Sequence, residues 1–391
     1  MKTLFKLFLV VLITVQIAQA QNTSTVEMDE IHTIFDETYT TDANTTLVLD
    51  LSNTAAQVFK SKDDNVRIIY TMEFKNYRKK IVEERLKSAV VKGKKENNKI
   101  TYTSKSRNSR YYRQYHYEDI LVGRLYKKQD TSKTQKPISR KSLDAIYNQI
   151  KYAERDRLRE LYGTIKVKPR VKKWKKSDKL QITRVEIYIP DNIHVRATIE
   201  NSQLVFADDF SNQFTFNARN SKLRFKSIGN NLSNFDVDNG YFSATEINAG
   251  SYSFANTKAV TIGKVSNSLV NSEFTKVELG EIGRNNKIID FNSKYIIHNF
   301  HNDFYSLNLE TDYTEINLFS PENMDYYLET FGFDTMHYKK GTTTKFKSNR
   351  KNKPSKMMVI GNENYPNKIK INTTHGIIRF GEKRIDFGEE N

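Results

Sequence analysis

The chain has 391 residues, a formal net charge of +17 and no cysteine. The lack of cysteine excludes disulfides, thiolate metal sites, a cysteine nucleophile and a lipidated N-terminal cysteine. A chain of this length has room for two or three domains, but its composition shows few strong breaks. Any stable fold must therefore be held together by its own apolar core.

Residues 1–20 have the pattern of a secretory signal peptide. Two lysines precede an apolar run, and Ala18-Gln19-Ala20 forms a small-x-small cleavage site. A short membrane anchor is the alternative, but the run is too short to span a bilayer comfortably. We therefore expect export to the periplasm, the cell surface or the medium, with a mature chain that begins at Gln21 and has no transmembrane helix.

Residues 21–104 predict an N-terminal β segment that contains a short helix. Residues 46–51 and 66–74 alternate between apolar and polar side chains, which is the period of a strand with one buried face. Residues 81–91 place their apolar side chains on one helical face. The segment should therefore contribute strands to the core.

Residues 105–180 are interpreted as a basic, partly helical insertion. Between positions 105 and 179 there are 23 Lys and Arg but only 8 Asp and Glu, which leaves +15 of the chain's +17 in this stretch. Residues 142–162 repeat apolar side chains with the period of a helix. Clustered cations attract anions, and Tyr or Trp rings can stack on sugars or bases. The candidate ligand-binding residues are Tyr111, Tyr112, Arg113, Lys172, Lys173, Trp174, Lys175 and Lys176.

The partner that this insertion predicts is an anionic polymer of the cell envelope. Because export is expected, an anionic glycan, lipopolysaccharide or an acidic protein fits better than nucleic acid. The alternative is that the insertion is only a solvated basic loop that keeps the protein soluble.

Residues 181–320 contain a repeated pattern in which apolar-x-apolar-x-x-apolar is followed by Asn, Ser or Gly. Its copies begin at Leu223, Phe242, Val260, Val277 and Tyr295, with spacings of 19, 18, 17 and 18 residues. Each copy buries too few apolar side chains to be stable alone, so copies of equal length must stack. The pattern predicts an all-β fold, a stacked β-solenoid in which Phe225, Ile262 and Leu279 face inward. An antiparallel sandwich is the alternative, since its strands recur at similar spacing.

Residues 321–391 are expected to form a C-terminal cap. The stretch 341–356 is basic and predicts a mobile loop. Apolar residues alternate on both sides of Thr374-His375-Gly376, which is typical of a hairpin at the end of the chain.

Two clusters of polar residues could carry chemistry. The first, His298, His301 and Asp303, could hold a cation, but two histidines three residues apart on a strand face opposite sides. The second comprises Asp208, Asp209, Asp236 and Asp238. Paired carboxylates cleave polysaccharides, yet these acids alternate with predicted core residues and fit a solvated face. We therefore expect no catalytic site, no metal and no cofactor.

Several stretches together carry a resemblance to a known family. They are Leu47-Val-Leu-Asp-Leu-Ser-Asn53, the strand at 66–70, the short helix, the repeats over 185–318 and the closing Ile369-Lys-Ile-Asn-Thr-Thr-His-Gly-Ile377. In these the chain resembles the head-GIN-type, adhesin-like β-solenoid proteins that are common among secreted proteins of Bacteroidota. Ala55-Ala56 stands where this family usually has a glycine, and the basic insertion is a further departure.

The resemblance implies a non-catalytic, secreted β-solenoid of the cell envelope with a structural or interaction role. Two other functions stay open at this point. The chain could be a polyanion- or glycan-binding module that acts through its basic insertion. Less favoured is a polysaccharide-active β-helix enzyme built on the acidic cluster.

Overall fold

The computed structural model describes residues 29–105, 179–319, 324–339, 342–346 and 355–381. The predicted signal peptide, the predicted helix at 142–162 and all eight candidate ligand-binding residues lie outside these ranges. Within them the fold is almost entirely β. The one helix that the structure describes, α1 (Lys79–Lys87), corresponds to the short helix predicted near residues 81–91. No helix in the described ranges is long and apolar enough to cross a membrane.

The described ranges contain 26 strands. Those before the insertion are β1 (Glu30–Thr40), β2 (Thr46–Ser52), β3 (Ala55–Lys60), β4 (Asn65–Lys75), β5 (Val90–Glu96) and β6 (Lys99–Lys105). Next come β7 (Leu180–Ile189), β8 (His194–Glu200), β9 (Gln203–Phe206), β10 (Asp209–Phe210), β11 (Phe214–Arg219), β12 (Lys222–Ile228), β13 (Asn234–Asp238), β14 (Tyr241–Ala255), β15 (Ala259–Glu273) and β16 (Lys276–Ile282). The last are β17 (Asn286–Phe291), β18 (Lys294–Phe300), β19 (Ser306–Asp312), β20 (Glu315–Phe319), β21 (Tyr327–Phe333), β22 (Thr335–Lys339), β23 (Thr342–Phe346), β24 (Ser355–Ile360), β25 (Lys368–Thr374) and β26 (Ile377–Gly381).

Most strands pair in parallel with the strand one repeat away. The first ladder runs through β8, β11, β13, the second half of β14, the second half of β15, β17 and β19. The second ladder runs through β9, β12, the first half of β14, the first half of β15, β16, β18 and β20. The long strands β14 and β15 belong to both ladders and join them into one large mixed sheet. We call one first-ladder strand with the second-ladder strand that follows it a unit.

The core lies where side chains of the two ladders meet. The predicted inward residues Phe225, Ile262 and Leu279 are at most 2% exposed. They occupy one column, because the register pairs Phe225 with Ala244, Ala244 with Ile262, and Ile262 with Leu279. The inward prediction is therefore confirmed, and it follows from the period-2 alternation of each copy.

At each end of the sheet, one unit lies between units that do not both neighbour it in the sequence. β2 lies between β6 and β8, and β3 lies between β7 and β9. Likewise β25 lies between β19 and β21, and β26 lies between β20 and β22. Outside these units, antiparallel strands close the ladders: β5 and β4 at one end, β24 and β23 at the other. The parallel edges, which could otherwise pair with another chain, are thus covered.

The pairing of β25 and β26 corrects the prediction of a terminal hairpin. β25 pairs in parallel with β19, and β26 pairs in parallel with β20. Thr374-His375-Gly376 is therefore the turn within one more unit. A hairpin turn and a turn within a unit use the same residue types. The sequence pattern around His375 therefore could not show which of the two turns forms.

A two-residue corner joins the two strands of most units. Its first residue has a positive φ near 50°, and it is usually asparagine, which tolerates the left-handed conformation. These asparagines are Asn53, Asn201, Asn220, Asn239, Asn256 and Asn292. The second residue is usually a buried Ser or Thr. Its hydroxyl oxygen accepts a hydrogen bond from the backbone N–H of the second corner residue in the preceding unit. Thr257 N, for example, donates to Thr275 Oγ1 at 3.1 Å, and Thr275 N donates to Ser293 Oγ at 2.9 Å.

Replacing Thr275 by valine should lower the free energy of unfolding by about 1–3 kcal/mol. The side chain keeps its shape, but the buried N–H of Thr257 loses its acceptor. Thr198→Val, on the exposed face of β8, is the matched control and should stay within about 0.5 kcal/mol of wild type. Urea unfolding measures both. Equal midpoints would show that the corner hydroxyls do not stabilise the stack.

Candidate functional site

Five aromatic rings lie along the corners of five successive units, and we call this strip the aromatic edge. It comprises Phe274, Phe291, Tyr313, His375 and Phe333. Neighbouring ring centroids are 5.5, 6.0, 4.8 and 5.4 Å apart in that order. Phe274, Phe291 and Tyr313 are 48%, 42% and 53% exposed. The strip is a continuous row of rings that solvent can reach.

Three of these rings stand at corners with left-handed backbone, a conformation that is unfavourable for Phe and Tyr and less so for His. Phe274, Tyr313 and His375 have φ values of 48°, 54° and 51° and stand at the corner position where most other units have asparagine. Bulky residues are uncommon in this left-handed region because Cβ crowds the backbone. About half of Phe274 and of Tyr313 stays exposed, so burial offsets only part of that cost. Unfavourable backbone conformations of this kind are concentrated at functional sites, which makes the aromatic edge the candidate binding surface.

A buried carboxylate holds the corners beneath the aromatic edge. Asp290, 5% exposed, accepts hydrogen bonds from the hydroxyls of Ser272 and Thr314 and from Ser293 N at 3.1 Å. The Tyr295 hydroxyl contacts Ser272 Oγ. Burial, and then the nearby Asp290 carboxylate, raise the pKa of Tyr295, so this hydroxyl stays protonated. The network therefore fixes the backbone that presents Phe291 and Tyr313.

Charged side chains of both signs border the aromatic edge. Glu273 and Asp312 precede the corners on the first-ladder side, whereas Lys276 and Lys294 follow them on the second-ladder side. Lys294 lies 3.2 Å from Glu315, and His375 lies 3.6 Å from Asp312. The border thus offers hydrogen-bond donors and acceptors, with no single sign of charge.

A second candidate is a polar cleft at the opposite edge, where the chain passes from one unit to the next. Its volume is about 160 Å³, and its lining includes Glu246, Lys264, Arg284 and Asp303. Lys264 lies 3.8 Å from Glu246 and 3.6 Å from Asp303, so its charge is largely balanced. Burial alone would raise the pKa of Asp303, but hydrogen bonding to His301 and the charge of Lys264 outweigh it and lower that pKa. The cleft is small and internally paired, and we regard it as the weaker candidate.

The two histidines of the cluster that was considered for cation binding lie in separate contacts. His298 Nε2 is 2.9 Å from Glu278 and stacks on Phe319, whereas His301 Nδ1 is 2.6 Å from Asp303. In the described part of the chain, no group of three or more His, Asp or Glu side chains could hold a metal ion. The structure therefore does not assemble this cluster around one ion.

The four acids considered for polysaccharide cleavage are not brought together either. Asp208 accepts the backbone N–H of Lys60 at 2.8 Å, and Asp209 lies 2.5 Å from Lys226. Asp238 lies 3.5 Å from Arg219, and Asp236 is exposed on the outer face of β13. Asp208, Asp209 and Asp238 thus have separate local partners, and Asp236 and Asp238 share only the open outer face of β13.

The sequence interpretation did not find the aromatic edge, although a signal was present. Aligning the corners shows asparagine in most units and Phe274, Tyr313 and His375 in three others. In these three units an aromatic residue takes the corner position that asparagine has in most units, and this is an exception to the repeat. The positions of Phe291, between Phe274 and Tyr313, and of Phe333, beyond His375, could be seen only once the unit order was known.

Comparison with known proteins adds little to this geometry. No family model matches the chain, and no curated protein matches it. A solved structure of a putative cell adhesion protein from Clostridium sporogenes is similar over 89% of this chain and 99% of its own, at 9% identity and a TM-score of 0.17. That score is too low to carry an argument, so the function is inferred from the surface itself.

Proposed function

We propose that this chain is a non-catalytic interaction protein of the cell envelope, adhesin-like in role, which meets its partner along the aromatic edge. The observation that carries the proposal is the row of exposed rings on corners where the backbone favours asparagine. Rings that cost conformational energy and stay about half exposed are explained by a partner that covers them. The signal-peptide pattern of residues 1–20 supports placing the protein outside the cytoplasm.

We also propose that the architecture is a β-solenoid of the head-GIN type. The parallel, in-register pairing of units spaced 17–19 residues apart supports this assignment. The corner hydroxyls, which bond from unit to unit, support it as well. Such a stack presents its corners as a row, so the rings of Phe274, Tyr313 and His375 at three corners, together with Phe291 and Phe333 just before two others, form one continuous surface.

The test of the proposed function is binding of the mature chain to envelope fragments of the source organism in a sedimentation assay. The variant Phe274→Asn/Tyr313→Asn/His375→Asn gives three corners the residue found in most other units. It should bind much less than wild type but keep its thermal midpoint, since asparagine suits the left-handed backbone. Tyr305→Ala removes a ring of similar exposure, 55%, at the opposite edge and should bind like wild type.

Undiminished binding by the triple variant would contradict the proposed surface.

The second candidate function is polyanion binding through the basic insertion, and the same assay can detect it. In that case the triple variant would bind normally, and binding would fall steeply with salt because several charges release counterions. The observation behind this alternative is the net +15 of residues 105–179, which include the candidate residues Lys172, Lys173, Lys175 and Lys176.

A further inference from the structure

We propose that the aromatic edge binds a single extended polysaccharide chain without net charge, laid along the stack of units. The inference rests on the proposed function, because it takes the aromatic edge as the contact surface and names what covers it. The polysaccharide would place successive sugar rings against successive aromatic rings.

The spacing of the rings fits such a chain. Neighbouring parallel strands lie about 4.8 Å apart, and the ring centroids along the edge follow at 4.8 to 6.0 Å. A pyranose unit of an extended polysaccharide has a similar length. Because the corners form a row, five rings offer contacts to several consecutive sugars. Where a ring face is open to solvent, C–H groups of a pyranose can pack on it. Tyr313 and His375 stack on each other, so there the sugars would meet the ring edges and the Tyr313 hydroxyl.

The ring planes indicate what shape of chain fits. Phe274 and Phe291 are inclined by 89°, Phe291 and Tyr313 by 76°, whereas Tyr313 and His375 are nearly parallel at 12°. A row of coplanar rings would suit the flat face of a crystalline polymer. Rings that change direction from unit to unit fit a soluble chain whose sugars turn along its length.

The polar border favours a ligand without net charge. Glu273 and Asp312 flank Phe291 in the last row of the first ladder, and Lys276 and Lys294 follow the corners on the second-ladder side, with the exposed amide of Asn292 between the two rows. Hydroxyl groups both donate and accept hydrogen bonds, so they can use carboxylate, amide and ammonium groups alike. A strongly anionic polymer would gain from the lysines but be repelled by the two carboxylates.

The width of the strip argues against a protein partner. A stable protein interface buries roughly 800 Å² on each side and has an apolar centre surrounded by a rim. The aromatic edge is one ring wide and is bordered by charges on both sides. A linear ligand uses such a strip fully, whereas a globular one would leave the charged borders partly desolvated without partners.

The test is affinity electrophoresis of the mature protein in gels that contain soluble mannan, xylan, β-glucan or dextran, with heparin as the anionic probe. At least one neutral polysaccharide should retard wild type, with little dependence on salt. Tyr313→Ala and Phe291→Ala should each weaken that binding by about tenfold, as expected for the loss of one aromatic ring from the contact surface. Tyr305→Ala removes an exposed tyrosine at the opposite edge and should behave like wild type. Arg284→Ala, in the polar cleft, should also behave like wild type.

Three results would overturn the inference: retardation by heparin alone, retardation by no polysaccharide, or equal retardation of wild type and Tyr313→Ala. Loss of binding in Arg284→Ala would move the site to the opposite edge and would also overturn it. The proposed function is judged separately by the envelope-fragment assay. If the triple asparagine variant loses envelope binding while no polysaccharide binds wild type, the edge remains an interaction surface but its ligand is not a neutral glycan.

Discussion

Replacing Phe225 by aspartate should abolish the folded state. Phe225 is 2% exposed, and its ring stacks on Phe206 at 4.3 Å and contacts Phe235 and Phe242 at 5.3 and 5.7 Å. A carboxylate at this place would have no cationic partner in the described core, and burying an unpaired charge costs several kcal/mol. The lost ring contacts add to that cost. Together they are comparable to the entire stability of an ordinary domain, about 5–15 kcal/mol.

Circular dichroism and urea unfolding would measure this effect. Phe225→Leu keeps an apolar side chain at the same place and should fold with reduced stability, which shows that the site tolerates smaller apolar residues. Thr198→Asp, on the exposed face of β8, adds the same charge outside the core and should leave the midpoint almost unchanged. A wild-type midpoint for Phe225→Asp would mean that the register of the second ladder is wrong.

Replacing Asp290 by alanine should lower the free energy of unfolding by about 3 kcal/mol or more. The N–H of Ser293 would lose its acceptor inside the protein, and the hydroxyls of Ser272 and Thr314 would lose a charged acceptor and keep only their contacts with the Tyr295 hydroxyl and the Asp312 carbonyl. Each buried donor without an acceptor costs about 1–3 kcal/mol. Because these groups hold the corners under Phe291 and Tyr313, the variant should also weaken envelope binding.

Asp236→Ala is the matched control, since Asp236 is exposed on the outer face of β13. It should change the free energy of unfolding by less than about 0.5 kcal/mol. Asp290→Asn keeps one acceptor oxygen in the same shape and should fall between the two. Equal urea midpoints for Asp290→Ala and Asp236→Ala would show that the buried network does not stabilise the corners.

The core of the repeats could be predicted from the sequence because its determinants are local. Phe225, Ile262 and Leu279 lie in an alternating pattern, and alternation decides which face of a strand each side chain takes. The positions of the corners could be recognised in the same way, because asparagine and glycine mark left-handed backbone wherever they occur. The burial of these three residues confirms that part of the interpretation.

The order of the units at the ends of the sheet could not be predicted. β2 alternates in the same way whether its neighbours are β6 and β8 or the strands next to it in the chain. The same ambiguity produced the prediction of a hairpin around His375, where β25 and β26 instead extend the two ladders. Strand pairing joins residues far apart in sequence, so it depends on which edges are available when the sheet assembles.

The sequence by itself determined the all-β character of this protein, the length of its repeat and the inward residues of the central units, since these depend on side-chain period and turn chemistry. Only the tertiary structure decided which units are neighbours, and with that the position of the candidate site. Phe274 and His375 are a hundred residues apart, yet unit order places their corners on one row, with Phe291 and Tyr313 between them. A surface built from one residue per unit exists only after the strands of the units have paired, because no single unit contains more than one of its rings.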